Sequence, residues 1–187
     1  MYPSESPASP LQSFRYCPGC GHPDPAHDSP RSIRCPTCGF RFFVNSAATV
    51  CGFVFYGDQI ILTQRGREPQ KGKFDFPGGF MEWGESAEDA LQREIAEELG
   101  IQVHSLAYVC STANDYPYAG VTYKLADFYF LCRADDISML QPQDDVAGVL
   151  LVEPQAVDTS LFSFPSVASA HAKLLDYLAA ASRIPPI

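Results

Sequence analysis

From Asn45 onward, apolar runs alternate with polar punctuation. Ala47–Tyr56 is a nearly continuous apolar run, Gly57-Asp58 is a turn signal, and Ile60–Arg65 reads as the returning strand. Pro77-Gly78-Gly79 then breaks the chain. Over residues 86–99 the period changes. Leu91, Ile95 and Leu99 recur at every fourth position among charged residues, which predicts an amphipathic helix that opens at Ser86 and stops at Gly100. Residues 103–110, 123–132 and 149–152 read as strands, 111–120 as a loop, and 166–181 as a closing helix ended by Pro185 and Pro186. Strands mixed with two long helices predict an α/β or α+β sandwich over residues 44–187. Residues 1–14, rich in Pro and Ser, read as a disordered tail, and residues 15–43 as a separate small module.

The length of 187 residues leaves room for one domain plus such a module. A hydrophobic fraction of 46% sustains a packed core, so wholesale disorder is excluded. No apolar run is long enough to span a membrane, and the N-terminus lacks the basic start and apolar centre of an export signal. With 22 acidic residues against 13 Lys and Arg, the net charge of -9 argues against general binding to nucleic acid or anionic membrane. A local basic patch or a bound divalent metal still allows a phosphate ligand.

Seven cysteines, an odd number, and no visible export signal point to a reducing cytoplasm, with thiols or metal ligands before disulfides. Cys17-Pro-Gly-Cys20-Gly21 and Cys35-Pro-Thr-Cys38-Gly39 are two turns of one design, 14 residues apart. Each pair aims two sulfurs at one ion, and four thiolates make a closed tetrahedral site suited to structural Zn²⁺. A redox or disulfide role is the competing reading. So short a segment has too little apolar surface to fold without a staple, which favours the metal. His22 and His27 read as solvated loop residues, and Cys51, Cys110 and Cys132 as buried, inert thiols.

On the helix over 86–99, Glu94, Glu97 and Glu98 stand at i, i+3 and i+4, within an arc of about 100°. Two carboxylates about 6 Å apart repel by roughly 3 kcal/mol at an effective dielectric of about 20. A cation offsets that cost, and hard oxygen ligands select Mg²⁺ or Mn²⁺. A solvated acidic face is the alternative. Three neighbours tip the balance towards metal. Gly78-Gly79 lets backbone approach a ligand, Glu85 stands at the helix start, and Arg93 is placed to hold an acid in position.

The segment Gly79–Ile101 resembles the signature of the Nudix hydrolases, G-x5-E-x7-R-E-U-x-E-E-x-G-U with U a bulky aliphatic. Gly79, Glu85, Arg93, Glu94, Ile95, Glu97, Glu98, Gly100 and Ile101 fill its nine positions. The resemblance implies an α/β/α sandwich with a mixed sheet from about residue 44, and metal-dependent cleavage of a nucleoside diphosphate linked to another group. It implies that Glu94, Glu97, Glu98 and the Gly78 carbonyl bind Mg²⁺, while Glu85 and Arg93 orient the acids. The general base is either a Glu of the signature or a late-loop acid, here Asp144 or Asp145. A zinc ribbon before such a domain resembles the layout of NADH pyrophosphatases, often homodimers, so NADH or a related adenine dinucleotide is the expected substrate. The specificity motif of those enzymes is only loosely echoed by Ser111 and Pro117, which keeps ADP-ribose, FAD, a nucleotide sugar and a non-hydrolysing nucleotide sensor as alternatives.

Arg65, Arg67, Lys71 and Lys73 cluster just before Gly78, and Arg65, at a strand end, is the candidate clamp on the diphosphate. Tyr116 and Tyr118 are candidates for stacking on a base, or equally for a rim or dimer contact. Trp83 reads as packing. Only Arg31, Arg34 and Arg41 are cationic within residues 16–43, too few for a phosphate track, so nucleic acid is not an expected partner.

Overall fold

A computed structural model describes residues 10–181. The described chain forms two compact units, one of residues up to Ala47 together with Asp115–Leu125, the other of Ala48–Asn114 and the residues from Ala126 onward.

In the first unit, strands β1 (Ala26–Ser29), β2 (Ser32–Arg34) and β3 (Arg41–Phe43) form an antiparallel sheet in that order. Within the span 1–14 expected as a disordered tail, Pro10–Ser13 instead form a 3-10 turn that buries Leu11, an apolar anchor in a polar stretch. The rest of that expectation, residues 1–9, lies outside the described residues.

Apart from Ala47 and the hairpin tip Asp115–Leu125, which belong to the first unit, the second unit is built on β4 (Ala47–Tyr56), β5 (Gln59–Arg65), β6 (Phe74–Asp75), β7 (Gly78–Phe80), β8 (His104–Tyr118), β9 (Val121–Arg133) and β10 (Val146–Val152). They form a seven-stranded sheet, ordered β10-β5-β4-β9-β8, with β6 on β5 and β7 on β4. Helices α1 (Ala87–Leu99) and α2 (Pro165–Ala181) complete it. Side chains alternate across a strand, so the sheet has two different faces. Val50 and Val54 of β4 and Phe130 and Cys132 of β9 pack with Leu91, Ile95 and Leu99 of α1. The odd positions Phe53 and Tyr129 stack on each other on the opposite face and meet Phe76 edge-on, and there Phe76 and Phe162 meet His171 of α2. One helix on each face gives the α/β/α sandwich.

Helix α1 forms as its punctuation predicts. Ser86 caps it by accepting from Asp89 N–H at 3.2 Å, and Gly100, at φ 69°, ends it by donating to Ala96 O at 3.0 Å. The loop expected at 111–120 is corrected. Residues up to Tyr118 continue β8, and only Ala119-Gly120 turn the hairpin. The polar composition of Ser111–Asp115 hides a half-buried alternation that pairing with β9 stabilises, and pairing outweighs propensity.

Gly78 shows where the fold demands one residue type. Its φ is 140°, and a Cβ there would lie 2.1 Å from Val50 O, because β7 pairs with β4 through Gly78 and Cys51. Gly78→Ala is expected to lower stability by about 3 kcal/mol or more. Urea titration checks this, and an unchanged midpoint would contradict it.

Candidate active site and metal centre

The loop from β7 into α1 is tied down by one guanidinium. Arg93 grips Glu85 with Nε to Oε1 at 2.9 Å and Nη2 to Oε2 at 3.0 Å, a bidentate pair. Its Nη1 also donates to Glu94 at 2.9 Å and Glu97 at 3.0 Å, and its Nη2 to Phe80 O at 3.1 Å. Glu82 N–H donates to Glu85 as well, at 2.9 Å. Arg93, followed by the Glu82 N–H, holds the Glu85 carboxyl below its usual range. Glu85 is therefore a permanent counter-ion that fixes the start of α1. Arg93→Lys keeps the charge and loses the fork. In the hydrolysis proposed below it is expected to lower the rate by roughly 10–100-fold, as loss of an orienting partner does. Steady-state kinetics checks this.

Glu94 and Glu98 lie in a different setting. Glu98 is buried, and its Oε2 accepts from Gly78 N–H at 3.0 Å. Burial first, then the charges of Asp145, Glu94 and Asp75, push its pKa up to about 8 against the lowering effect of that N–H. Burial also raises Glu94, with Glu97 and Asp145 adding to it and Arg93 opposing. Glu97 is exposed. Gly79 leaves room for the Glu94 carboxylate, which a Cβ at that position would meet at 2.6 Å. The site is thus a partly desolvated cluster of oxygen donors carrying more negative charge than Arg93 balances. That chemistry fits a hard divalent cation. The three glutamates do not converge as they stand, since Arg93 holds Glu94 and Glu97 while Gly78 holds Glu98.

Among the described residues, Cys17, Cys20, Cys35 and Cys38 are the one group of three or more His, Cys, Asp or Glu whose ligand atoms all lie within 4.8 Å of one another. Cys17 and Cys38 sulfurs are 3.7 Å apart, and those of Cys20 and Cys35 3.6 Å. A tetrahedron with Zn–S bonds of about 2.3 Å has edges of about 3.8 Å, so the donor set fits zinc. These separations are far beyond the ~2.05 Å of a disulfide. Backbone N–H groups of Cys38 and Thr37 bring the Cys35 thiol down to about 6. Gly19 N–H points at Cys17 Sγ at 3.3 Å.

The remaining candidates divide. Arg65 is engaged within the fold. It donates to Asp75 at 2.7 Å and to Pro69 O at 2.7 Å, and lies over the Phe164 ring. Tyr116 and Tyr118 stack on each other at 6.5 Å near the tip of β8, in the first unit. Asp144 is exposed and faces Arg67 at 3.6 Å, whereas the charge of Asp145 acts on Glu94 and Glu98. Trp83, expected to pack, is fully exposed. Two acids escaped sequence reasoning. Asp75 adds to the potential at Glu98. Asp127, buried on β9, accepts from Thr49 at 2.6 Å, with burial raising its pKa. Asp127 interrupts an apolar strand, a signal that was available; Asp75 carries none.

The NUDIX domain model matches residues 45–178. An NAD-capped RNA hydrolase NudC of Klebsiella pneumoniae is 31% identical over 160 residues, covering 78% of this chain and 62% of that protein. One of Stutzerimonas stutzeri is 30% identical over 109 residues, covering 58% and 39%. The chain therefore spans less than two thirds of the length of these relatives. A NUDIX hydrolase structure from Nitrosomonas europaea superposes with TM-score 0.71 at 21% identity, covering 92% of this chain and 95% of that one. The NUDIX domain of Shewanella oneidensis NrtR, complexed with ADP ribose, gives 0.59 at 20% identity, covering 73% and 90%. Among the described residues no helix is long and apolar enough to cross a membrane.

Proposed function

The chain belongs to the Nudix family, and on that premise we propose that it is a divalent-metal-dependent pyrophosphohydrolase that cleaves the diphosphate of NADH or a related adenine dinucleotide. The observation that carries the reading is Glu98, a buried carboxylate with other acids around it and no Lys or Arg bonded to it among the described residues. Such a group is costly unless the protein uses it to hold a cation.

In this reading Glu94, Glu97, Glu98 and the Gly78 carbonyl hold Mg²⁺ or Mn²⁺, with Glu94 and Glu97 turning from Arg93 to do so. The cation, when bound, neutralises the diphosphate and makes water more acidic. Asp145 takes the proton from the water that attacks phosphorus, in preference to Asp144 and to the glutamates of α1. Gly79 keeps space beside Glu94, and Arg93 with Glu85 fixes the acids so that reorganisation is small. Zn²⁺ in the four-cysteine site is structural, and a reducing compartment such as the cytoplasm keeps those thiols available. Arg65 and the tyrosines carry no role in the chemistry of this proposal. A homodimer remains part of it, tested by sedimentation.

The names of the relatives support a second substrate, the same diphosphate at the end of an NAD-capped RNA. The net charge of -9 favours the free dinucleotide. An initial-rate panel with Mg²⁺ separates these, comparing NADH, NAD⁺, NAD-capped RNA, ADP-ribose, FAD, a nucleotide sugar and nucleoside triphosphates. Preference for NADH, giving AMP and the reduced mononucleotide, is expected. Preference for another member keeps the mechanism and replaces the substrate. Tight binding without turnover, under Mg²⁺ or Mn²⁺, makes the protein a nucleotide sensor instead.

A further inference from the structure

The turn that precedes β10 carries backbone features with no counterpart in a side-chain pattern. Val146 N–H donates to Gln143 O at 3.0 Å, closing a four-residue turn, and Gln143 N–H donates to Glu98 O at 2.8 Å, which fastens the turn to α1. Within it, Asp144 has φ 49°, the left-handed region that side chains beyond Gly, Asn and Asp seldom enter. The register of β10 on β5 then slips between Val146 and Gly148, an irregularity of the kind that re-aims side chains beside active sites. Just past the end of β5, Gly66 N–H donates to Asp145 O at 2.7 Å, and a Cβ on Gly66 would lie 2.6 Å from that oxygen. Among the described residues, the exposed Asp144 carboxylate makes just a loose pairing with Arg67 at 3.6 Å.

We propose that Asp144 and Gly66 are positioning residues for Asp145. The left-handed backbone of the first and the bare α-carbon of the second seat the Asp145 carboxylate against the acids of α1. This rests on the reading of Asp145 as the acid of the reaction. The two adjacent aspartates then have separate tasks. Asp144 is present because a short polar side chain tolerates its backbone, and its carboxylate is dispensable. Asp145 is present for its carboxylate. A methyl group on Gly66 would displace the Asp145 backbone, because the obstructing atom is a carbonyl oxygen and not the end of a flexible side chain.

The test compares Asp144→Gly, Asp144→Asn, Asp144→Val and Gly66→Ala, with Asp145→Asn as reference. It reads kcat and KM on the dinucleotide with Mg²⁺, and amide exchange at Gly66 and Val146. Asp144→Gly and Asp144→Asn are expected to keep kcat within about threefold, since both residues adopt the left-handed region readily. Asp144→Val and Gly66→Ala are expected to lower kcat by about tenfold or more with little change in KM, in the direction of Asp145→Asn. Exchange should quicken at Gly66 in the Val variant and at Val146 in the Gly66 variant. A slow Asp144→Gly enzyme would show that the Asp144 carboxylate is needed and overturn the proposal. So would a Val variant with wild-type rate and protection, or an unimpaired Asp145→Asn. If the Val variant does not fold, Gly66→Ala and Asp144→Gly decide between the outcomes. Wild-type protein without turnover would sink the hydrolase reading, while equal protection of Gly66 in all the Asp144 variants would sink this inference alone.

Discussion

Replacing Glu98 by Gln is expected to slow diphosphate cleavage by about 10²–10³-fold while making the metal-free protein more stable at pH 8. The two effects have one cause. Gln keeps the shape of the side chain and removes its charge. The charge is what a divalent cation needs, and also what the buried site tolerates least. The direction of the pH dependence follows from linkage. Glu98 ionises near 4.5 in the unfolded chain and at about 8 in the folded one. Between those values the folded state holds a proton that the unfolded state has released. Stability therefore falls as pH rises across that window, by up to about 1.4 kcal/mol per unit, and is level on either side. Thermal unfolding in the absence of divalent metal should show this slope in the wild type and a shallower one in Glu98→Gln, where Glu94 and Asp127, also raised by burial, still contribute in the same sense. Mg²⁺ should flatten it in the wild type, because the cation stabilises the ionised form. Glu98→Gln with near-normal kcat, or a slope of the opposite sign, contradicts the account.

Removing the proposed zinc, or one of the four cysteines that would hold it, is expected to unfold the three-stranded module. With strands of only four, three and three residues, the module buries few large side chains, Leu11 of its 3-10 turn and Ile33 of β2 among them, and cannot offset the chain entropy it loses. A structural Zn²⁺ contributes on the order of 10 kcal/mol of apparent folding free energy in such modules. Cys35→Ser should therefore abolish stoichiometric zinc and the slow amide exchange of β1–β3. Chelation of the wild type should do the same and release four thiols to rapid titration. Cys51, Cys110 and Cys132 should stay slow, because burial raises all three. Protected amides in zinc-free protein would show that the module folds by itself.

What was legible in the sequence was local. The phase of α1, its Ser86 cap and its Gly100 stop rest on contacts within four residues. The two Cys-x-x-Cys turns are equally self-contained. Glu98 could have been singled out from Glu97, since it lies a turn beyond Glu94 and beside the Leu91–Ile95–Leu99 stripe and so faces inwards with it. The sequence shows Arg65 as a cation at a strand end, which suggests a clamp. It does not show Asp75, brought to it by the pairing of β6 with β5. In the proposed reading the choice between Asp144 and Asp145 depends on one backbone dihedral and on a register slip, and residue type does not separate the two because an aspartate at either position tolerates that dihedral. Ser111–Tyr118 looks like a loop until β9 supplies a partner.

The most direct test is cleavage of NADH in heavy-oxygen water by zinc-loaded protein, with Mg²⁺ and with a chelator that spares the zinc. The expected products are AMP and the reduced mononucleotide, with one solvent oxygen on the phosphate of a single product and no reaction when divalent metal is withheld. Cleavage that persists without the metal, or products that carry no solvent oxygen, would contradict it.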